Sequence, residues 1–203
     1  MKAAIRRPDR TLRARSLAAV LVPGALVALS GLVELPWLGT MSRHGAGLFE
    51  FELMRTSGRA VHVLSTWGAA GRRAARLSSW VDFGFIASYT CLFIALAKAT
   101  EPRLRNRQAR PLVSLPRFLI LAAVAAAAAN VVDKAALLSV LYGHAKSPAP
   151  LIAFVCSVAT YIFLGIAIVV AAMSLAMASW PRRDPTTGQV TDGTVDRKVM
   201  ASH

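Results

Sequence analysis

The sequence is poor in charge, poorest in acid, and nearly without cysteine. Only 17% of its 203 residues are charged, where a soluble domain carries about a quarter. That shortfall excludes an ordinary water-facing surface. Ten Asp and Glu stand against 24 Lys and Arg, so an acid inside an apolar run is a rare feature. The two cysteines, Cys91 and Cys156, both fall within apolar runs; no disulfide framework or paired-cysteine zinc site follows from them. Glycine-rich phosphate loops and a nucleophile elbow are absent. No internal repeat is evident, which argues against an inverted-repeat transporter.

What is present is apolar. Hydrophobic residues make up 55% of the chain and the mean hydropathy is +0.50. Four long runs, at about 17–37, 77–97, 118–141 and 151–178, each reach the ~20 residues that cross a hydrocarbon core. The expectation is an all-α membrane protein, a four transmembrane helix bundle with an amphipathic outer loop at 38–76. A basic stretch at 1–16 precedes the spans, and a polar tail at 179–203, with Pro, Gly and Thr, is expected to be disordered. A basic start, a short apolar core and Ala28 and Ser30 also fit a cleavable signal peptide. The run continues to Trp37, so a retained span is expected.

The net charge of +14 does not indicate nucleic acid, because no recognition motif or aromatic-interleaved basic stretch accompanies it. The basic residues instead flank the spans, where they orient helices and meet anionic lipid. Sixteen lie in the N-terminal stretch, the 98–117 segment and the tail, against seven in the other two connections. Both termini are therefore expected in the cytoplasm. Trp37, Trp80 and Tyr142 fall at the expected outer interface and Trp180 at the inner one.

In the long outer loop, Phe49, Phe51 and Leu53 alternate with Glu50 and Glu52, a period that suits a short extended stretch. Ser57 is a candidate cap for a helix carrying Ala60, Val61, Leu64 and Trp67, ended by Gly68. A second helical stretch with Arg72, Arg73 and Arg76 then leads into the second span. The segment reads as an interfacial helix folded over the membrane domain, either shielding helix ends or acting as a lid. His62 lies in it, as a solvated residue or a ligand.

Ionisable residues inside spans are costly, so they face other helices, pair, or mark a site. Here these are Glu34 in the first span, Asp82 in the second, and Asp133 and Lys134 in the third, joined by the amide of Asn130. Asn130, Asp133 and Lys134 are spaced i, i+3, i+4 and share a helix face; Asp82, Phe85 and Tyr89 lie along one face of the second span. One reading is a polar clasp that sets helix register, with Lys134 paired to Asp82 or Asp133. The other is a binding pocket opening outward, in which an acid in excess of the lysine awaits a proton, cation or cationic ligand. Its candidate residues are Glu34, Asp82, Asn130, Asp133, Lys134, Tyr89 and His62. A metal set of Glu34, Asp82, Asp133 and His62 lacks motif spacing, and no metal or cofactor is assigned. The alanine run 125–129 is expected to let a neighbouring helix approach closely.

Phe51-Glu52-Leu53, then Arg59-Ala60, Trp67-Gly68, the arginines 72 to 76 and Asp82-Phe83 resemble a group of small bacterial four-span membrane proteins from GC-rich genomes. The third span of that group often has an acid followed by Glu-Asn, where this chain reads Asn130, Asp133, Lys134. The resemblance implies the four-span topology and a bacterial cytoplasmic membrane, and no activity. Three functional readings follow. First is a non-catalytic accessory or assembly subunit binding a membrane partner or lipid. Second is a small carrier or binder of a cation, proton or amphiphile. Third is a membrane-embedded enzyme acting on a lipid or quinone.

Overall fold

A computed structural model describes residues 10–43, 45–105, 110–145 and 147–179. The basic N-terminal stretch before residue 10 and the polar tail from residue 180 lie outside the described residues. The described residues are helical throughout their elements: α1 (Arg10–Arg43), α2 (Leu48–Glu52), α3 (Ser57–Arg105), α4 (Arg110–Ser139), a π-helical turn (Val140–His144) and α5 (Ala149–Ser179). Four stretches are long and apolar enough to cross a membrane: Ala18–Arg43, Ser57–Pro102, Ser114–His144 and Ala149–Ser179. The chain is an all-helical, membrane-embedded protein.

The four apolar runs become helices because nothing else satisfies their backbone polar groups in hydrocarbon. Each helix outlasts its run. α1 continues past Trp37 to Arg43, and α3 joins the loop helix and the second span into 49 residues. The junction is Gly68, at φ 57° and ψ −159°, a region that only glycine adopts without strain. The Arg72 guanidinium donates to the carbonyl of Leu64 across the break, at 2.9 Å, satisfying a carbonyl the kink would strand. Gly71 is needed just beyond it, since a Cβ there would lie 2.6 Å from the Trp67 Cβ.

Two details of the loop differ from the sequence reading. The cap of α3 is Thr56, whose Oγ1 accepts from the Arg59 N–H at 3.3 Å, one residue before Ser57. The stretch around Phe51 is not extended but a single helical turn, α2, with Phe51 and Glu52 both buried and Phe49 exposed. Five residues are too few for an alternating pattern to define a period, and burial of Phe51 against Trp67, at 4.8 Å between ring centroids, decides the conformation.

The first part of α3 covers the end of the molecule that carries α2. Ala60, Val63 and Trp67 are buried there with Met41, Phe51, Met54, Leu137 and Leu141, and the Trp67 indole N–H donates to the Ala46 carbonyl at 2.7 Å. A second apolar core fills the other end. In it Ile86 and Phe93 of α3 meet Leu119, Ala122, Ala123 and Ala126 of α4 and Ala167 and Ala171 of α5. Small residues facing small residues allow the close α4–α5 approach that the alanine run suggests. Along α3, α4 and α5 alike, the stretches carrying Asp82, Asn130 to Lys134, and Ser157 to Tyr161 lie between these two cores. Helix α1 packs on α3, with Gly24 near Leu92, and leaves Leu21, Val22, Leu29, Leu32 and Leu35 exposed.

Candidate functional site: a buried acid cluster around Lys134

The cluster begins at α4. The i, i+3, i+4 spacing sets Asn130, Asp133 and Lys134 on one face, and all three are buried. The facing helix α5 carries a second such triad, Ser157, Thr160 and Tyr161, about 12 Å or more along from its start at Ala149. Ser157 Oγ donates to Asp133 Oδ1 at 2.9 Å and ties the two triads together. Asp82 comes from α3.

The fourth contribution is α2. Its turn dips between α3 and α5 and delivers Glu52 to the depth of the spans. Lys134 Nζ donates to Glu52 Oε1 at 2.5 Å and lies 2.8 Å from Asp82 Oδ2 and 3.8 Å from Asp133 Oδ2. Tyr161 donates its phenol to the second oxygen, Glu52 Oε2, at 2.6 Å. The backbone is held as well, since Ser157 Oγ reaches the Glu52 carbonyl at 3.4 Å. On the far side of Asp82, Glu34 of α1 completes a carboxyl–carboxyl contact, and its Oε1 is buried without a hydrogen-bond partner. One ammonium group thus faces three carboxyl groups, with Glu34 behind Asp82 as a fourth.

Between these residues is a cavity of about 130 Å³, lined from α2, α3, α4 and α5 by Glu52, Asp82, Asn130, Asp133, Lys134, Ser157, Thr160 and Tyr161, with Phe85 and Leu164. It exceeds the ~10–15 Å³ that admits one water. The charged lining residues are buried, while Tyr161 is 44% exposed and Phe85 and Leu164 are half-buried. The opening is therefore sideways, between α3 and α5, toward lipid. Thr160 Oγ1 lines the cavity, is 5% exposed, and has no hydrogen-bond partner. Buried hydroxyls rarely stay unpaired without reason.

Of the residues singled out from sequence, Asp82, Asn130, Asp133 and Lys134 come together around the cavity, and Glu34 joins them through Asp82. Tyr89 lies one turn beyond Phe85, packed edge-on against Phe85 and Phe93. Its hydroxyl is directed to Asn130 without completing a hydrogen bond. His62 is not part of the cluster. It is exposed on the first part of α3, beside a separate surface cavity with Gly45, Ala46, Glu50 and Arg59. Among the described residues no three His, Cys, Asp or Glu side chains converge as a metal-ligand set. The sequence reading missed Glu52, Ser157, Thr160 and Tyr161. The α5 triad had a signal, the same spacing as its partner on α4. For Glu52 there was none, because only tertiary packing carries it inward. No protein-family model, curated protein or solved structure matches the chain.

Proposed function

We propose that this protein binds an amphiphile bearing a protonated amine, as a carrier or receptor, in the cavity beside Lys134. The observation that carries this is the imbalance of one buried ammonium against three carboxyl groups lining an open space, with Glu34 behind Asp82. Uncompensated carboxylate charge at this depth is expensive; a proton shared between Glu34 and Asp82 offsets part of it, and a second cation offsets the rest. Lys134 itself exemplifies the fit: an ammonium group ion-paired with two carboxylates, with a third nearby. Asp133, the unpartnered Thr160 hydroxyl and the Tyr161 ring are the groups left for the incoming head, and the aromatic ring adds a cation–π contact. The sideways opening favours a ligand whose tail stays in lipid. Native mass spectrometry of protein extracted gently from its own membrane tests this: a bound amine is expected in the wild type and not in Asp133→Asn. A bare wild type together with a variant that is only less stable leaves the cluster as a clasp.

The orientation we propose puts both termini in the cytoplasm and the α2 end outside, in a bacterial cytoplasmic membrane. It rests on the sixteen-to-seven distribution of basic residues. The accessory-subunit reading keeps one specific support. Helix α1 leaves an exposed leucine-rich face, on which lipid or a partner helix packs equally well.

A further inference from the structure

A third cavity, sharing Glu50 and Arg59 with the one beside His62, lies on the opposite side of α2 from the acid cluster. It measures about 490 Å³ and is lined by Phe49, Glu50, Leu53, Arg55, Thr56 and Arg59. Two of these are apolar and exposed, Phe49 at 68% and Leu53 at 42%. Two are exposed arginines. The Arg59–Glu50 pair is 3.8 Å apart and more than half exposed, a contact that contributes little and leaves the guanidinium available. Arg55 is held over the Phe154 ring of α5, 5.3 Å from its centroid, which fixes its head at the start of a membrane span.

The charge around this cavity is predominantly positive, Arg55 and Arg59 against Glu50. Residues 43 to 76 include six arginines and two glutamates, and one of those glutamates, Glu52, is turned inward onto Lys134. The exposed remainder is strongly basic and carries open apolar side chains at the end of a span. Arginines bind phosphate through paired N–H donors, and basic residues beside exposed apolar ones suit the boundary between headgroups and acyl chains.

We infer that this cavity is a seat for one anionic phospholipid. Its phosphate lies against Arg55 and Arg59, and its acyl chain runs over Phe49 and Leu53. This goes beyond the amine site and does not depend on it. A lipid so placed touches the outer face of the segment whose inner face carries Glu52, so occupancy holds α2 in its docked position.

The test is native mass spectrometry of the protein released from nanodiscs of equal phosphatidylglycerol and phosphatidylcholine. The wild type is expected to retain one phosphatidylglycerol in preference to phosphatidylcholine. Each arginine near an anionic headgroup is worth roughly fivefold, so Arg55→Gln with Arg59→Gln lowers retention about twenty-fivefold. The single Arg59→Gln serves if the pair impairs folding. Arg73→Gln, an exposed arginine outside the cavity, leaves retention unchanged, and Phe49→Ser weakens retention of both lipids without altering the preference. Equal retention of the two lipids overturns the inference, as does an undiminished signal in the folded arginine variants. An equal loss in Arg73→Gln also overturns it, by showing general surface attraction. Displacement by inorganic phosphate overturns it by showing a site for a simple anion.

Discussion

Lys134 and Glu52 stand 82 positions apart in the chain and 2.5 Å apart in space. That contact joins the third span to a five-residue turn which, by its length and flanking sequence, belongs to a loop. It also makes the loop part of the membrane interior, because the partner it finds there is the cluster's lone cation. Several consequences of this pairing are measurable.

Lys134→Met leaves four carboxyl groups with no cation among them. Removing one partner from a buried ion pair costs about 3–5 kcal/mol, and thermal or denaturant unfolding in detergent reads the loss. Exchanging the charges, with Asp82→Lys and Lys134→Asp together, is expected to recover at least half of it. A Lys134→Met protein as stable as wild type means that the contacts at Lys134 hold nothing together.

Glu52→Ala is milder, because Lys134 keeps Asp82 at 2.8 Å. Hydrogen bonds from Lys134 and Tyr161 are lost, about 1–3 kcal/mol. The loss is expected to be local, since α2 is a single turn and Phe51 still anchors it against Trp67. Hydrogen exchange should accelerate over residues 45–56 while the spans stay protected. Uniform acceleration across the chain contradicts a separately docked α2.

The kink in α3 rests on two glycines for different reasons. Gly68→Ala forces a side chain into backbone space only glycine adopts, at about 1–3 kcal/mol. Gly71→Ala brings a methyl against the Trp67 side chain, an overpacking cost of about 1–3 kcal/mol. Gly71→Ala should also change the Trp67 fluorescence, because that indole is fully buried. Stability equal to wild type in both variants means that the helix does not bend at this point.

The proposed orientation is tested by thiol labelling of intact cells with a membrane-impermeant reagent, in a protein with Cys91 and Cys156 replaced by serine. Ser65→Cys, exposed on the first part of α3, is expected to label from outside. Gln108→Cys is expected to label only after the membrane is opened. The reverse pattern inverts the topology.

Much of this architecture was legible in the sequence, and the reasons are physical. The four runs are long and nearly uncharged, so hydropathy alone locates them. The face shared by Asn130, Asp133 and Lys134 follows from helix spacing, and a polar face inside a span must meet something. Ser157, Thr160 and Tyr161 repeat that spacing on the next span, yet hydroxyl residues are ordinary in packed membrane helices, so the spacing alone marks no site. Glu52 was beyond local reasoning. Its neighbours alternate as in a strand, and only the burial of Phe51 against Trp67 turns the segment inward. His62, which the sequence left as either a solvated residue or a ligand, is exposed on the first part of α3, away from the cluster.

The most direct test of the amine site is a calorimetric titration of nanodisc-embedded protein with dodecylammonium, with neutral dodecanol as control. The expected result is one saturable site for the ammonium and none for the alcohol. Affinity should fall about tenfold or more in Asp133→Asn, the loss of one charge-assisted hydrogen bond. No saturable site for dodecylammonium, or equal binding by the folded variant, contradicts it and leaves Lys134 and its acids as a structural clasp.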